Sequence, residues 1–368
     1  MKILPWEGST VFPALCATLL AWRKSAPDTR DLPWRDEPTP YHVWISEIML
    51  QQTRAAVVRS YYLRFLDALP SVCDLADVDD DALMKLWQGL GYYSRARNLK
   101  RAAEVIVEKH EGQLPGDFDA LLALPGIGRY TASAIASFAY GQPRPAVDGN
   151  FLRVAARVTA NPIDIAKDTS KRALESALVS SYPTGRDAGL LNEAFMDLGA
   201  TVCLPNGVPL CHACPAAQLC LAHDRGTEQD YPVKTALKAR RKERRTVLLL
   251  SCGEEIAIRK RPAQGLLAGL WEYPNLEGKL SQRAVRALLE AEGFDVRNIV
   301  PLPSARHIFS HIEWELTGWA VTVTDMNEPP LMAAEDRTDA PSSLLWVRRK
   351  ELADTYSIPA AFGYFTPQ

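Results

Sequence analysis

The spacing of apolar positions divides this 368-residue chain into a helical part and a mixed part. From about residue 10 to residue 225, apolar residues recur with the period of amphipathic helices, and loops containing Pro and Gly separate the periodic segments. Thr39 as N-cap and Pro40 at the first helical position mark the start of one of them. The helices predicted after an N-terminal one span about 39–53, 54–67, 80–88, 94–110, 117–123, 130–140, 149–159, 170–181 and 188–201.

The pattern changes near residue 231, where strand signals replace the helical periodicity. Two short apolar runs flank Gly253, which predicts a β-hairpin. Further along, apolar residues alternate with polar ones, as in a half-buried strand. The elements expected here are a hairpin at 246–252 and 256–258, a helix over 281–293 that ends at Gly293, the alternating strand 312–323, a polar loop over 326–343, a short strand at 344–347 and a mobile tail.

The length is too great for one typical hydrophobic core, so two or three domains are expected. We predict a multidomain protein in which an all-α domain at 1–230 precedes a smaller α+β domain at 246–368, with a basic linker at 231–245 between them. Within the helical domain, a six-helix module covers about 34–140 and a second module combines the N-terminal helix with 141–225.

Composition indicates a globular protein that does not span a membrane. Hydrophobic residues make up 47% and charged residues 23% of the chain, and no apolar stretch approaches the length of a membrane span. The N-terminal MKILPWE has no apolar core of the length found in a signal peptide. We therefore expect a cytoplasmic protein. The net charge of −2 does not indicate a nucleic-acid partner, but residues 234–245 hold seven cations and one anion. Arg95, Arg97, Lys100 and Arg101 form a second cluster. Each patch fits either a phosphate contact or an ordinary solvated surface.

The most informative motif is LPGIGRYTA at 124–132, followed by Asp148. Pro125, Gly126 and Gly128 predict a tight turn that a bulkier backbone could not take and that leads into a helix. Unpaired N–H groups at a helix N-terminus suit a phosphate. The alternative is an ordinary corner between two helices, with Asp148 on the surface.

A second motif, WISEIMLQQT at 44–53, places Glu47 among apolar residues on a predicted helix. A carboxyl group in an apolar pocket resists ionisation, which prepares it to donate a proton. A surface glutamate on an amphipathic helix is the alternative if the motif is taken alone.

Four of the seven cysteines lie within 18 residues, at Cys203, Cys211, Cys214 and Cys220. In a cytoplasmic chain such a cluster indicates a metal site rather than disulfides. Four thiolates are the ligand set of zinc or of a cubane iron–sulfur cluster. Structural zinc usually has two close ligand pairs, whereas this run has one close pair and two outlying cysteines, so zinc would draw on His212 or His223.

In order and spacing, these motifs and the segment WQGLGYYSRAR at 87–97 resemble the A/G-specific adenine DNA glycosylases, the MutY family of the helix-hairpin-helix superfamily. The resemblance is dense over about 33–225 and weaker beyond. It implies a [4Fe–4S] cluster held by the four cysteines. The family typically has six residues between the first two of them and this chain has seven, an insertion that the irregular loop 204–210 could absorb.

The resemblance also implies the catalytic roles. Glu47 would protonate adenine at N7 and later handle the water. Asp148 would stabilise the oxocarbenium ion or bond to it transiently, with support from Tyr130 and Asn150. Endonuclease III-type relatives have a lysine at the position of Tyr130, which forms a Schiff base and leads to strand cleavage. Tyrosine cannot do so, and Leu152 stands where some relatives have lysine, so a monofunctional glycosylase is implied.

The remaining implied contacts are with DNA. The flipped adenine would meet Glu193, the opposite strand would face Gln52 and Thr53, and Tyr92 would wedge into the duplex. Residues 246–368 resemble a Nudix-like domain that recognises 8-oxoguanine, but the helix 283–293 lacks the glutamates of a working Nudix hydrolase. The turn Phe309-Ser310-His311 resembles the loop with which the family approaches the oxidised guanine. The alternative is an ordinary strand end capped by Ser310. The substrate- and DNA-binding residues implied are Arg35, Gln52, Thr53, Tyr92, Gly126, Gly128, Glu193, Phe309, Ser310 and His311.

The function expected is removal of adenine mispaired with 8-oxoguanine or guanine. Double-stranded DNA carrying these mispairs is the expected partner, and the protein would be a monomer that associates with the nucleoid through DNA. Protein partners are not indicated. The alternatives are an endonuclease III-like pyrimidine glycosylase/lyase, a thymine-mismatch glycosylase and a non-catalytic DNA-binding module. Tyr130 disfavours the first, the C-terminal domain the second, and the joint presence of Glu47 and Asp148 the third.

Overall fold

The computed structural model describes residues 6, 9–25, 30–235, 239–326 and 343–366. They form two compact units, one from 1–77 and 98–236 and the other from 78–97 and 237–368. The helices are α1 (Val11–Ser25), α2 (Pro40–Leu50), α3 (Ala55–Ala68), α4 (Val72–Asp77), α5 (Asp80–Trp87), α6 (Ser94–His110), α7 (Phe118–Leu122), α8 (Arg129–Phe138), α9 (Gly149–Val158), α10 (Asp168–Val179), α11 (Arg186–Thr201), α12 (Leu221–Asp224), α13 (Gln282–Ala291) and α14 (Arg349–Thr355). The strands are β1 (Arg241–Cys252), β2 (Glu255–Lys260), β3 (Trp271–Glu272), β4 (Asn275–Glu277), β5 (Val296–Ile308), β6 (Ile312–Val323) and β7 (Leu345–Arg348).

The first unit is built from helices, as the apolar periodicity predicts. α11 packs against α1, α8 and α9, and the rings of Phe151 and Phe195 stack 4.1 Å apart between α9 and α11. Both phenylalanines are fully buried, because the apolar faces of these helices meet in one core. Every predicted helix from 39 onwards is found, with ends shifted by at most three residues. The short helices α4 and α12 were not predicted.

The end of α2 differs from the prediction. Its start is as expected: the Thr39 side chain accepts a hydrogen bond of 3.2 Å from the His42 N–H, and Pro40 is the first helical residue. The helix ends at Leu50 rather than near residue 53. Gln52 adopts a left-handed backbone with φ of 58°, which cannot continue a right-handed helix.

The second unit contains a mixed sheet with strand order β3-β2-β1-β6-β5, in which β4 also pairs with β1 and β7 with β2. β1 and β6 run parallel over eleven paired positions, and the other pairs are antiparallel. The predicted hairpin is present, with Cys252 opposite Glu255 and a positive φ of 57° at Gly253. β1 begins at Arg241, so the last five residues of the segment expected to be a linker belong to the sheet.

Both faces of this sheet are covered. Val247 and Leu249 of β1 point into one apolar core, while Leu248 and Leu250 point into a second core that includes Val285 and Leu289 of α13. A strand buried on both faces has a continuous apolar run, which explains the sequence of β1. On β6 the alternation is as predicted, with Ile312, Trp314 and Leu316 at most 5% exposed. The predicted helix at 281–293 is α13, capped by the Ser281 side chain.

Two expectations for this unit were wrong. β5 was not predicted, because it is the last strand of the sheet, is mostly exposed and contains Pro301 and Pro303, which break strand signals. The tail expected to be mobile forms α14 and a segment whose Phe362 and Phe365 are buried. The polar loop predicted at 326–343 lies almost wholly outside the described residues. Among the residues described, no helix combines the length and apolarity that a bilayer-spanning segment needs.

Candidate active site

Glu47 lies on the buried face of α2 and is only 5% exposed. Its Oε2 has no hydrogen-bond partner, while the phenol of Tyr130 bonds to the same carboxyl group. Burial raises the pKa of Glu47 to about 7, and the negative charge of Asp148 acts in the same direction. The Tyr130 hydrogen bond and the charge of Arg35 oppose this rise. Near neutral pH Glu47 therefore remains protonated in part of the protein and can give its proton to a ligand.

Asp148 differs from Glu47 in its hydrogen bonds, because it is the N-cap of α9. Its Oδ1 accepts hydrogen bonds from the backbone N–H groups of Asn150, at 2.8 Å, and Phe151, at 2.9 Å. Its Oδ2 accepts a third bond of 2.6 Å from the Asn150 side chain. Burial raises the pKa of Asp148, but these three bonds act against that rise. They hold the carboxylate in one orientation, at a helix end that favours negative charge.

The two carboxyl groups face one cavity of about 260 Å³. Residues that the sequence analysis predicted meet there, although they lie far apart in the chain. They come from α2, α8, α9 and α11 and from the segments that precede α2 and α9. A buried acid with a raised pKa and a second, hydrogen-bonded carboxylate form a pair with separate roles, as in glycoside hydrolysis. The predicted residues that line the cavity are Arg35, Glu47, Tyr130, Asp148, Asn150 and Glu193.

An ion-pair network closes one side of this cavity. Asp197 accepts two hydrogen bonds from Arg35, at 2.9 and 3.0 Å, and one of 2.8 Å from Arg30. Glu193 accepts bonds of 2.7 and 3.0 Å from Arg23, and its Oε1 lies 3.7 Å from Arg35. Three cations thus face two anions, which leaves the wall positive beside Glu47.

Sequence reasoning found two members of this network and missed the other three. Glu193 and Asp197 are spaced i, i+4 on α11 and so share a face, a signal that could have identified Asp197. Arg23 and Arg30 precede the dense motifs and carry no local signal. Glu193 lines the cavity, but its oxygens are already engaged by arginines rather than directed freely at a ligand.

Asn192, also missed, holds the segment that carries Asp148. This side chain is fully buried, and its Oδ1 accepts hydrogen bonds from the Ala146 N–H, at 2.9 Å, and from the Tyr182 hydroxyl. Its Nδ2 donates to the Ser137 hydroxyl at 2.6 Å and to the Arg144 carbonyl at 3.2 Å. The amide is therefore satisfied on both sides and fixes residues 144–146 against α8.

The hairpin at 124–131 depends on its two glycines for different reasons. Gly126 has φ of 75°, and a Cβ there would lie 2.5 Å from the Cβ of Asn98. Gly128 has an ordinary φ of −88° and open space around it, so the expectation that its turn excludes a bulkier residue was wrong. As the N-cap of α8 it provides no side-chain cap, which leaves the first N–H groups of the helix available to a ligand.

This hairpin lines a wider groove of about 820 Å³ that also reaches Glu47 and Asp148. Gln52 lies in the same groove, in its left-handed conformation, and its neighbour Gln51 donates a hydrogen bond of 3.3 Å to the Thr131 hydroxyl. Thr53 bonds to the Gln51 carbonyl at 3.4 Å and does not line the groove. The hairpin and the predicted acid thus open to one surface.

The four clustered cysteines line a single cavity between α9, α11 and α12. Arg157 is buried beside them, and its guanidinium donates to the Cys203 Sγ at 3.2 Å and to the carbonyls of Leu204, at 2.9 Å, and Glu228, at 2.9 Å. Four convergent thiols with a cation directed at one of them fit a metal group that carries negative charge with its thiolates. His223 reaches the cavity and bonds Glu228 at 2.6 Å, whereas His212 is exposed and does not line it.

Arg153 joins this cavity to the carboxylate site. Its guanidinium donates to the Cys203 carbonyl at 2.8 Å and to the Asn150 Oδ1 at 2.8 Å, and Asn150 in turn donates to Asp148. The same side chain also bonds the Gly199 carbonyl at 2.7 Å. The orientation of Asp148 therefore depends on where the cysteine loop holds Cys203.

The second unit contains the predicted turn at 309–311, between β5 and β6. Ser310 Oγ lies 2.9 Å from the hydroxyl of Tyr92, a residue with φ of 47° and 46% exposure. The ring of Phe309 packs against Trp314 at 4.9 Å. Tyr92, Phe309, Ser310 and His311 line one cavity of about 740 Å³, together with Arg97 and Arg240. Residues predicted from two distant motifs thus share a surface rich in aromatic and cationic groups.

Comparisons with known proteins agree with this architecture. Residues 45–178 match the family model of the HhH-GPD superfamily of base excision DNA repair proteins, and residues 245–365 match the NUDIX domain. A solved structure of a thermostable thymine-DNA glycosylase superposes with a TM-score of 0.51 at 30% identity, covering 58% of this chain and 96% of that one. The fold and the site therefore define a helix-hairpin-helix base excision DNA repair protein with an added NUDIX domain.

Curated relatives show which family within this class the chain belongs to. The adenine DNA glycosylase of Schizosaccharomyces pombe is 32% identical over 355 residues, which cover 80% of this chain and 76% of the relative. That of Buchnera aphidicola from Acyrthosiphon pisum is 32% identical and covers 77% and 79%. The human adenine DNA glycosylase is 35% identical, and the match covers 82% of this chain but 65% of the human protein. The chain belongs to the adenine DNA glycosylase family, which confirms the resemblance inferred from the motifs.

Proposed function

We propose that this chain hydrolyses the N-glycosidic bond of adenine that is mispaired with 8-oxoguanine or guanine in duplex DNA. One observation carries the proposal: a buried acid whose pKa is about 7 and a hydrogen-bonded carboxylate share one cavity. The similarity to adenine DNA glycosylases supports adenine as the base.

The proposal gives each carboxyl group its own role. Glu47 gives its proton to adenine N7, and the C1′–N9 bond then breaks with its electron pair leaving on the base. The sugar is left as an oxocarbenium ion, which the carboxylate of Asp148 stabilises by its charge or by a transient covalent bond. The ionised Glu47 then accepts a proton from the water that adds to C1′, so its own proton is restored.

Tyr130 distinguishes base removal from base removal with strand cleavage. A lyase needs an amine that attacks the sugar, and a phenol cannot form the corresponding Schiff base. Burial also holds the pKa of Tyr130 well above its usual value, so the phenol remains a hydrogen-bond donor to Glu47. Leu152 is 1% exposed and supplies no amine. The reaction proposed therefore ends with an intact strand and an abasic site.

The DNA contacts proposed use the surfaces described above. The N–H groups at Gly126 and Gly128 hold a phosphate near Asp148, and Gln52, which lines the same groove, faces the strand opposite the adenine. Adenine must leave the base stack to reach the cavity, and Tyr92 fills the space that it vacates. Phe309, Ser310 and His311 contact the oxidised guanine.

Base release under single-turnover conditions tests the proposal. Duplexes with adenine opposite 8-oxoguanine, guanine or thymine, and a thymine:guanine duplex, are incubated with excess protein, and free base and strand breaks are measured separately. We expect adenine from the first two only, without enzymatic breaks. Pyrimidine release or borohydride-trapped adducts would favour the endonuclease III-like alternative, and thymine release the thymine-mismatch one.

The same assay tests recognition of 8-oxoguanine. A chain carrying Ser310→Ala and His311→Ala should lose most of its preference for 8-oxoguanine over guanine, because two polar contacts to the oxidised base are removed. The rate on the adenine:guanine duplex is the internal control and should change little. An unaltered preference would contradict a recognition role for this turn.

We also propose that Cys203, Cys211, Cys214 and Cys220 hold a [4Fe–4S] cluster. When bound, the cluster supplies folding energy and shapes the loop that follows α11, rather than taking part in base removal. The convergence of four thiols and the Arg157 donor to Cys203 support this assignment.

Purified protein should be yellow-brown, with absorption near ~410 nm and about four irons per chain. Cys214→Ser should reduce both values and the thermal stability of the first unit. Cys73→Ser is the matched control, because Cys73 is an exposed thiol of the same unit outside the cavity, and it should leave both values unchanged. Colourless protein with one zinc ion would replace the cluster assignment with the zinc alternative.

A further inference from the structure

Arg129, the first residue of α8, forms an ion pair across the groove that contains the hairpin. Its Nε and Nη2 both donate to the same oxygen of Glu175, at 3.2 and 3.0 Å. The two partners differ in exposure, because the arginine side chain is 47% exposed and the glutamate side chain only 14%. The carboxylate is thus held in the wall of the groove while the guanidinium remains accessible at its surface.

The position of Arg129 also suits a second anionic partner, in addition to Glu175. It directly follows the N-cap residue Gly128, which has no side chain to cap the N–H groups at the start of α8. Both ion-pair residues line the 820 Å³ groove that also contains Gly126, Gly128 and Asp148. The guanidinium lies 5.5 Å from the centre of the Phe118 ring, which orients it independently of Glu175.

We propose that the Arg129 guanidinium binds a phosphate of the DNA backbone, and that in the free protein the Glu175 carboxylate accepts the hydrogen bonds of this guanidinium instead. DNA binding then exchanges one oxyanion for another. A phosphate oxygen accepts the two hydrogen bonds that Arg129 donates to Glu175 Oε2 before binding. This inference rests on the proposed function, because it takes the groove to be the DNA-binding surface.

The exchange has a defined physical consequence. An arginine already neutralised by a carboxylate displaces fewer cations from the DNA than a free one, so Glu175 weakens binding and flattens its salt dependence. Because the carboxylate does not depend on base sequence, the effect applies equally to undamaged DNA. Glu175 therefore limits how long the protein stays on duplexes that hold no mispair.

The test measures binding of the full-length chain to a short undamaged duplex by fluorescence anisotropy over a series of salt concentrations. Wild type, Glu175→Gln, Arg129→Gln and the double variant form a double-mutant cycle. Asp168→Asn, alone and with Arg129→Gln, is the matched control, because Asp168 lies on α10 in the same groove but pairs with Lys171 rather than Arg129.

We expect Glu175→Gln to bind roughly threefold to tenfold tighter than wild type, with a log–log salt slope steeper by up to about 0.9. In the Arg129→Gln background the Glu175→Gln gain should disappear, while any effect of Asp168→Asn should be the same in both backgrounds. A Glu175→Gln gain that persists without Arg129 would show general charge repulsion and overturn the proposal, as would unchanged or weaker binding by Glu175→Gln. Absence of DNA binding by wild type would instead contradict the proposed function.

Discussion

A chain carrying Glu47→Gln is expected to release adenine about 10³-fold more slowly than wild type from a duplex with adenine opposite 8-oxoguanine. Glutamine fills nearly the same space but cannot give a proton to N7 or accept one from water. The wild-type group can do both, because burial keeps its pKa at about 7 and its Oε2 has no partner within the protein. The measurement is the single-turnover rate with protein in excess over DNA.

The control for this variant is duplex binding, which should be no weaker than wild type, because a neutral side chain of nearly the same size replaces Glu47 in the groove that it lines. Thermal unfolding at pH 8 adds an independent check. The folded-state pKa exceeds the ordinary value of 4.5, so ionisation of Glu47 destabilises the fold as pH rises through that interval. Glu47→Gln should therefore be more stable than wild type at pH 8 by roughly 2–4 kcal/mol, with a much smaller gain at pH 5. Retention of wild-type activity by this variant would remove Glu47 from the mechanism.

The second large effect is expected at Asn192, which lies outside the catalytic pair. Asn192→Ala should destabilise the first unit by about 3–5 kcal/mol, because it leaves buried polar groups of Ser137, Arg144, Ala146 and Tyr182 without their partner. Adenine release should fall as well, since the segment that leads to Asp148 loses its attachment to α8. Urea unfolding followed by tryptophan fluorescence measures the first effect, and the single-turnover assay measures the second.

Gln113→Ala is the matched control, an exposed amide of the same unit whose removal should change stability by less than about 0.5 kcal/mol. If Asn192→Ala unfolds at the wild-type urea concentration, the hydrogen bonds described for Asn192 are not those of the folded protein in solution.

The helical half of the fold could be predicted because its information is local. Amphipathic periodicity locates α3, α5, α6 and α8 to within a few residues, and the capping pair at Thr39 and Pro40 locates the start of α2. The edge strand β5 could not be predicted, because an exposed strand that contains prolines has no apolar alternation. Burial of the C-terminal segment was not predicted for a related reason, because Phe362 and Phe365 contact strands far away in the chain.

The same distinction between local and long-range information applies to the candidate site. Glu47 and Asp148 were predicted from motifs, and the structure places both at one cavity. Asn192 and Asp197 were missed, because most of the partners that distinguish them lie more than forty residues away in sequence. The different surroundings of the two carboxyl groups also required the structure, since a sequence does not show that one oxygen lacks a partner while three N–H groups hold the other carboxylate.

The most direct test of the proposed mechanism is the pH dependence of adenine release under single-turnover conditions, from pH 6 to pH 9. Because Glu47 must be protonated to act and its pKa is about 7, the rate should be nearly level on the acid side and fall about tenfold per pH unit above pH 8. Glu47→Gln should show only a small residual rate without this fall. A wild-type rate that stays constant or rises between pH 7 and pH 9 would contradict the assignment of Glu47 as the general acid.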